Sequence, residues 1–203
     1  RDLHRGGRRQ RQMCIRDRFY SVSKSDVGLY MIPFAVGNLL GPILLGRFFD
    51  TVGRRKMIFA TYGIAALVLA ISAILFQRDA LTPTTHTIFW CVAFFFASAG
   101  ASSAYLTVSE IFPLEVRGQA ISYFFSIAQI AGAIAPFIFG NLIGDGSSRG
   151  PLVGGYFIGA GIMLTGGLVA LFMGVDAEGK GLEAITDPLS RDRAKKSAAR
   201  QAE

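Results

Sequence analysis

The chain has 203 residues, of which 51% are hydrophobic and only 17% charged, and its mean hydropathy is +0.42. A soluble domain carries roughly a quarter charged residues, so a water-dissolved globule is a poor description of it. Its formal charge of +7 comes from Lys and Arg in short clusters between long apolar runs, a pattern of membrane topology and not of a nucleic-acid-binding face, so no nucleic-acid partner is expected. Cys14 and Cys91 have no CxxC spacing and no histidine beside them, which leaves no basis for a disulfide framework, a metal site or any cofactor.

In chain order, residues 1–18 are dense in arginine and have no helical or strand period. Gln12-Met13-Cys14-Ile15-Arg16-Asp17-Arg18 resembles the direct translation of a transposon end used in sequencing libraries. Segment 1–18 is therefore read as non-native sequence standing where an upstream part of the protein would continue. A basic arm on the membrane surface is the alternative. Five apolar stretches follow, over 27–46, 57–76, 88–108, 121–143 and 153–173, and none contains Asp, Glu, Lys or Arg. At 1.5 Å of rise per residue, about twenty residues cross the roughly 30 Å hydrocarbon core, so each stretch predicts a transmembrane helix. Strands are not expected, because an isolated strand cannot satisfy its backbone groups in lipid. Gly37, Gly41, Pro42, Gly132 and Pro136 lie inside these stretches, where close helix packing tolerates them.

The cations set an orientation. Arg47, Arg54, Arg55, Lys56, Arg117 and six positions of the tail share one side, while the other carries Lys24, Arg78 and Arg149. The positive-inside bias puts the tail in the cytoplasm and starts the first span outside, in an inner (plasma) membrane. An odd number of spans entering from outside is consistent with helices missing upstream. The expected organisation is a transmembrane bundle over 19–175 and a cytoplasmic tail over 176–203, poorly ordered after Asp187 because it is polar and charged without an apolar period.

The first loop on the basic side reads Gly46-Arg47-Phe48-Phe49-Asp50-Thr51-Val52-Gly53-Arg54-Arg55-Lys56. Gly46 permits close backbone approach where the helix ends, and Gly53 suits a tight turn. Asp50 is an acceptor beside several donors, able to form charge-assisted bonds to guanidinium groups. Arg54, Arg55 and Lys56 can snorkel to lipid phosphates or pair with carboxylates of other loops; simple topology anchors are the blander reading. The spacing Gly-x3-Asp-x2-Gly-Arg-Arg-Lys is similar to the signature loop of the major facilitator superfamily. A second segment, Glu110-Ile111-Phe112-Pro113-Leu114-Glu115-Val116-Arg117-Gly118, resembles the Glu-x2-Pro-x3-Arg-Gly loop of its sugar porter branch. A weaker third, Asp176-Ala177-Glu178-Gly179-Lys180-Gly181-Leu182-Glu183, resembles the segment after helix twelve of that branch.

The resemblance implies an all-α membrane protein whose spans are helices eight to twelve of a twelve-helix carrier, the rest lying in a missing amino-terminal half. It implies secondary transport of a small solute, a sugar or other metabolite, by alternating access, with proton coupling as the leading mechanism. Hexose carriers of the branch usually show Gly-Pro-x-Pro-Trp before the second motif. Here the region reads Gly100-Ala101-Ser102-Ser103-Ala104-Tyr105, which leaves aromatic and organic acids open beside sugars. The resemblance also suggests that the loops meet in a cytoplasmic gate of Gly46, Asp50, Gly53, Arg54, Arg55, Glu110 and Arg117, with Glu110 paired to Arg54 or Arg55 and Asp50 to Arg117.

Polar residues at membrane depth are costly unless they serve packing or a solute, so Asn38, Tyr105 and Gln129 are the candidates for a substrate path. Gln129 forms an i, i+4, i+7, i+11 stripe with Ser122, Ser126 and Ala133, and Ser98, Ser102, Tyr105 and Ser109 recur at helical spacing. Helix packing is the alternative for the serines above all. Stretches 57–76 and 153–173 have almost no strongly polar residues and are expected to be supporting helices facing lipid. His86 is expected in a solvated loop. No span carries the clustered His, Asp or Glu or the activated nucleophile of a membrane enzyme, so catalysis is not expected. A non-transporting receptor or structural subunit on the same fold is the alternative to a carrier.

Overall fold

The computed structural model describes residues 27–143 and 148–174, so segment 1–18 and the tail lie outside the described residues. Every regular element among the described residues is an α-helix: α1 Val27–Thr51, α2 Arg54–Gln77, α3 Pro83–Ile111, α4 Leu114–Ile143 and α5 Gly150–Met173. All five are long and apolar enough to cross a membrane. The helices overrun the apolar stretches at the basic end, taking in Arg47, Asp50, Arg54, Glu110 and Arg117. Charge does not prevent helix formation; it only moves those turns out of the hydrocarbon, where long side chains reach water or one another.

Local chemistry explains the boundaries. Gly53 has φ 106°, in the region that a side chain opposes, and there the chain turns from α1 into α2. At the start of α3, Thr82 Oγ1 accepts from the Thr85 N–H at 3.2 Å while Thr85 Oγ1 accepts from the Thr82 N–H at 2.8 Å. That reciprocal pair satisfies two donors, and Pro83 at the first helical position lacks the N–H that would otherwise be orphaned.

The packing is centred on α2, which lies against α3 on one side and α5 on the other, while α1 crosses α3. Close approach depends on small residues. A Cβ on Gly100 of α3 would meet Thr61 Oγ1 of α2 at 2.8 Å, and one on Gly167 of α5 would meet the Tyr62 Cβ at 3.3 Å. Stretches 57–76 and 153–173, expected to be supporting helices facing lipid, each pack one face inward and keep another apolar face exposed. Ile58, Ala65, Ala66, Ala73 and Phe76 of α2 and Leu152, Val153, Tyr156 and Ala160 of α5 are buried, while Ile64, Leu67, Ile71 and Ile162 keep an exposed apolar face. An all-apolar helix gives no sequence signal of which face is packed.

The crossing of α1 and α3 is tighter still. A Cβ on Gly37 would meet the Cys91 carbonyl oxygen at 3.0 Å, and one on Gly41 would overlap the Phe95 carbonyl oxygen. Pro42, four residues after Asn38, has no N–H to donate to the Asn38 carbonyl. Ser98 of α3 supplies the missing donor: its hydroxyl reaches that carbonyl at 2.8 Å. Ser98→Ala is expected to lower stability by about 0.6–2 kcal/mol, with Ser98→Thr largely neutral. Thermal unfolding of the purified protein in detergent checks this, and equal unfolding temperatures for Ala and wild type would refute it.

α4 is the least enclosed helix, with no buried residue among those described. It touches α3 through Phe124 and Phe125, whose rings lie 5.2 and 5.6 Å from that of Tyr105, and Phe139 and Leu142 line the approach to Gly155 of α5. Ile127, Ile130, Ile134 and Phe137 are exposed.

Candidate functional site

The Gly53 turn is what delivers Arg54 to the first position of α2, directly beside the last turn of α1 and the end of α3. Arg54 is buried, which is unusual for a cation unless its charge is paired. Both terminal nitrogens donate to Glu110: Nη1 to Oε2, and Nη2 to Oε1 at 2.9 Å. Nη2 also lies 3.5 Å from Asp50 Oδ1, one helical turn back across the Gly53 turn. This fork is the strongest geometry available to a carboxylate, since two parallel charge-assisted bonds fix both distance and orientation. The carboxylates differ in shielding, with side-chain accessibility of 23% for Glu110 and 68% for Asp50. Glu110 is therefore the partner that matters energetically, and Asp50 a solvated auxiliary.

Arg55 takes a different role from its neighbour. Its Nε donates to the Leu171 carbonyl at 3.0 Å, with Nη2 on the same oxygen. Leu171 is in the last turn of α5, where carbonyls lack intrahelical donors and the helix dipole favours a cation, so Arg55 ties the start of α2 to the end of α5. Of the two arginines that spacing offered to Glu110, the structure selects Arg54.

The expected pairing of Asp50 with Arg117 is corrected: Asp50 meets Arg54, and Arg117 reaches back to the Phe112 carbonyl at 3.4 Å from Nε and Nη2. Arg117 lies in the first turn of α4, and its side chain folds onto the Pro113 turn that separates α3 from α4 instead of crossing to α1. A Cβ added at Gly46 would have no atom within 4 Å, so its neighbourhood is open in this bundle. Gly53 is different: Gly53→Ala is expected to cost about 1–3 kcal/mol from the positive-φ backbone alone and to misplace Arg54. Unfolding temperatures of the two purified forms check it; no difference would show that the turn relaxes freely.

The substrate-path candidates are less convergent. Asn38 lends its backbone carbonyl to helix packing and leaves its side chain exposed, Tyr105 packs its ring against α4, and Gln129 is exposed on α4. Several hydroxyls are used within their own helices, Ser109 on Leu106 at 2.7 Å and Ser122 on Gly118 at 2.8 Å.

At the opposite end the structure assembles a group that sequence reasoning missed. His86 is not in a solvated loop but buried in the first turn of α3, because the Thr82 capping box starts the helix well before the apolar stretch. Its Nε2 lies 3.2 Å from the Tyr156 hydroxyl of α5, among the rings of Phe76 and Trp90. Arg149 pairs with Asp79 at 2.6 Å. The Thr82-Pro83 cap was legible and would have put His86 inside the helix. The Asp79–Arg149 pairing had no local signal.

Five membrane-length helices tied at one end by a forked Arg–Glu pair define a polytopic α-helical membrane protein with a charge-paired loop. Residues 12–201 match the profile of the Major Facilitator Superfamily, and the chain belongs to that family. It is 31% identical over 153 residues, 73% of this chain, to the cis,cis-muconate transport protein of Acinetobacter baylyi (strain ATCC 33305 / BD413 / ADP1). The matched stretch covers 34% of that relative, so this chain spans about a third of its length. No solved structure matches.

Proposed function

We propose that this chain is the carboxyl-terminal part of a solute carrier of the general-metabolite, sugar porter-like branch, working by alternating access with the Arg54 end in the cytoplasm of an inner (plasma) membrane. The observation that carries the reading is the fork from buried Arg54 to Glu110, with Asp50 alongside. A pair that joins two helix ends, and whose carboxylates remain within reach of water, can close in one state and rehydrate in the other. The exposed apolar faces of α1 and α4, with Leu29, Leu39, Ile43, Ile127, Ile130 and Phe137, are then covered by lipid and by the amino-terminal half of the same carrier.

The solute class favoured is a small organic acid, taken up with protons. The similarity to a cis,cis-muconate transport protein supports it, as does the segment Gly100-Ala101-Ser102-Ser103-Ala104-Tyr105, which departs from the hexose pattern. Asn38, Tyr105 and Gln129 supply the polar groups of the path from this side, and no carboxylate for proton coupling lies deep within the described helices, so that group belongs to the other half. Uptake of radiolabelled cis,cis-muconate by vesicles holding the full-length carrier tests this. Accumulation that collapses with the proton gradient is the expected result. Hexose uptake without acid uptake would reject the solute class, and no uptake of either above empty vesicles would reject the carrier reading in favour of a non-transporting receptor.

A further inference from the structure

The ends of α2, α3 and α5 away from Arg54 are held by a group that transport as proposed above does not use. Arg149 caps the start of α5, and its Nη1 lies 2.6 Å from Asp79 Oδ1 and donates to the Phe76 carbonyl at 3.2 Å. The same guanidinium sits 5.2 Å from the centroid of the Phe76 ring. One side chain thus satisfies a carbonyl in the last turn of α2, pairs with the acid that follows, and covers the terminal ring. Asp79 is placed for this by its left-handed backbone, φ 58°, which ends α2 and turns the chain.

Beneath this clasp, α3 enters the same cluster. His86 is 3% exposed and shares a hydrogen bond with the Tyr156 hydroxyl at 3.2 Å, and its ring lies 5.2 Å from Phe76 and 6.0 Å from both Trp90 and Tyr156. Phe76 and Leu152 are fully buried there and Tyr156 is 1% exposed. Both ends carry an ion pair of similar accessibility, with Arg149 and Asp79 at 24% and 71%, and they differ in the size of the buried cluster beneath it. At the Arg54 end, the tie between α2 and α3 is the Arg54–Glu110 pair over a small apolar cluster of Phe49, Ile58 and Ala99, and water can take over each charge as the pair separates. At the Arg149 end, separation would strip packed rings from three helices at once and break the buried Tyr156–His86 bond.

From this asymmetry we propose that the cluster of Arg149, Asp79, Phe76, His86 and Tyr156 is a fixed pivot: α2, α3 and α5 stay joined at their outer ends throughout the cycle while their cytoplasmic ends part as Arg54 releases Glu110. His86 and Arg149 are positioning residues in this scheme and touch no solute. The inference rests on the alternating-access reading, and its test needs no transported solute.

Spin labels on two cysteine pairs in a cysteine-free, full-length carrier in liposomes report the two ends separately. Lys56→Cys with Phe112→Cys reports the cytoplasmic ends of α2 and α3, and Arg78→Cys with Ser148→Cys the outer ends of α2 and α5; all four positions are exposed. Introducing Glu110→Gln is expected to enlarge the long-distance population of the cytoplasmic pair by about twofold or more while the outer pair keeps one unchanged distribution. An outer distribution that shifts or splits overturns the pivot, whatever the cytoplasmic pair does. A cytoplasmic pair that stays put with the outer one overturns both the pivot and the gate beneath it. Tyr156→Phe keeps the ring and removes the hydroxyl, and is expected to broaden the outer distribution; an unchanged width would remove His86 from the pivot.

Discussion

Glu110→Gln in the full-length carrier is expected to shift the resting population towards the inward-open state by about tenfold and to slow net uptake, with expression largely retained. The reason is where Arg54 sits. It is buried, and Glu110 is the carboxylate that holds it through two bonds, so neutralising that partner leaves a shielded cation with Asp50 at 3.5 Å as its remaining carboxylate. Removing one partner of a buried pair costs about 3–5 kcal/mol. Partial accessibility of Glu110 and the hydrogen bond a glutamine can still accept bring that down to about 1.5–3 kcal/mol, a tenfold shift or more. Under the proposed alternating-access cycle, the loss falls on the state in which the cytoplasmic side is shut. Alkylation of a cysteine placed in the cytoplasmic cavity reads the shift, and an unchanged rate in Glu110→Gln would reduce these charges to topology anchors. Asp50→Asn separates the two carboxylates: an exposed pair at 3.5 Å is worth about 0–1 kcal/mol, so its effect is expected to be several-fold smaller.

The second large effect is expected at the crossing of α1 and α3. Gly41→Leu should prevent assembly of the bundle, and Gly41→Ala should lower its stability by about 1–3 kcal/mol or more, because the added carbon falls on the Phe95 carbonyl and a backbone oxygen cannot swing aside as a side chain can. Gly37→Ala, with 3.0 Å to the Cys91 carbonyl, should fall between Gly41→Ala and wild type. Gly161→Ala on α5 has open space around it and serves as the control. The yield of monodisperse carrier and its unfolding temperature measure the series. Equal values for Gly41→Ala and Gly161→Ala would mean that the helices separate to admit a methyl group at no cost, which close packing does not allow.

Five helices and their order were legible because a lipid crossing imposes a length and an apolar composition that few other structures share. The Gly53 turn and the participation of Asp50, Arg54 and Glu110 were legible too, since a glycine between charged residues at a helix end marks a turn and charges beside a membrane seek partners. Partner choice was not. Arg54 and Arg55 are adjacent and chemically alike, and only the helical geometry, which points one towards the end of α3 and the other towards the end of α5, gives Glu110 to Arg54 and the Leu171 carbonyl to Arg55. Arg117 shows the same limit: charge alone offered it Asp50, while the Pro113 turn leaves it over the Phe112 carbonyl. His86 failed for another reason, the boundary of α3 having been drawn from hydropathy when a hydroxyl pair and a proline start that helix earlier. Which face of an all-apolar helix is buried is a property of its neighbours. Composition therefore determined that α2 and α5 cross the membrane, and only packing decided that α2 lies at the centre of this bundle with α5 on its flank.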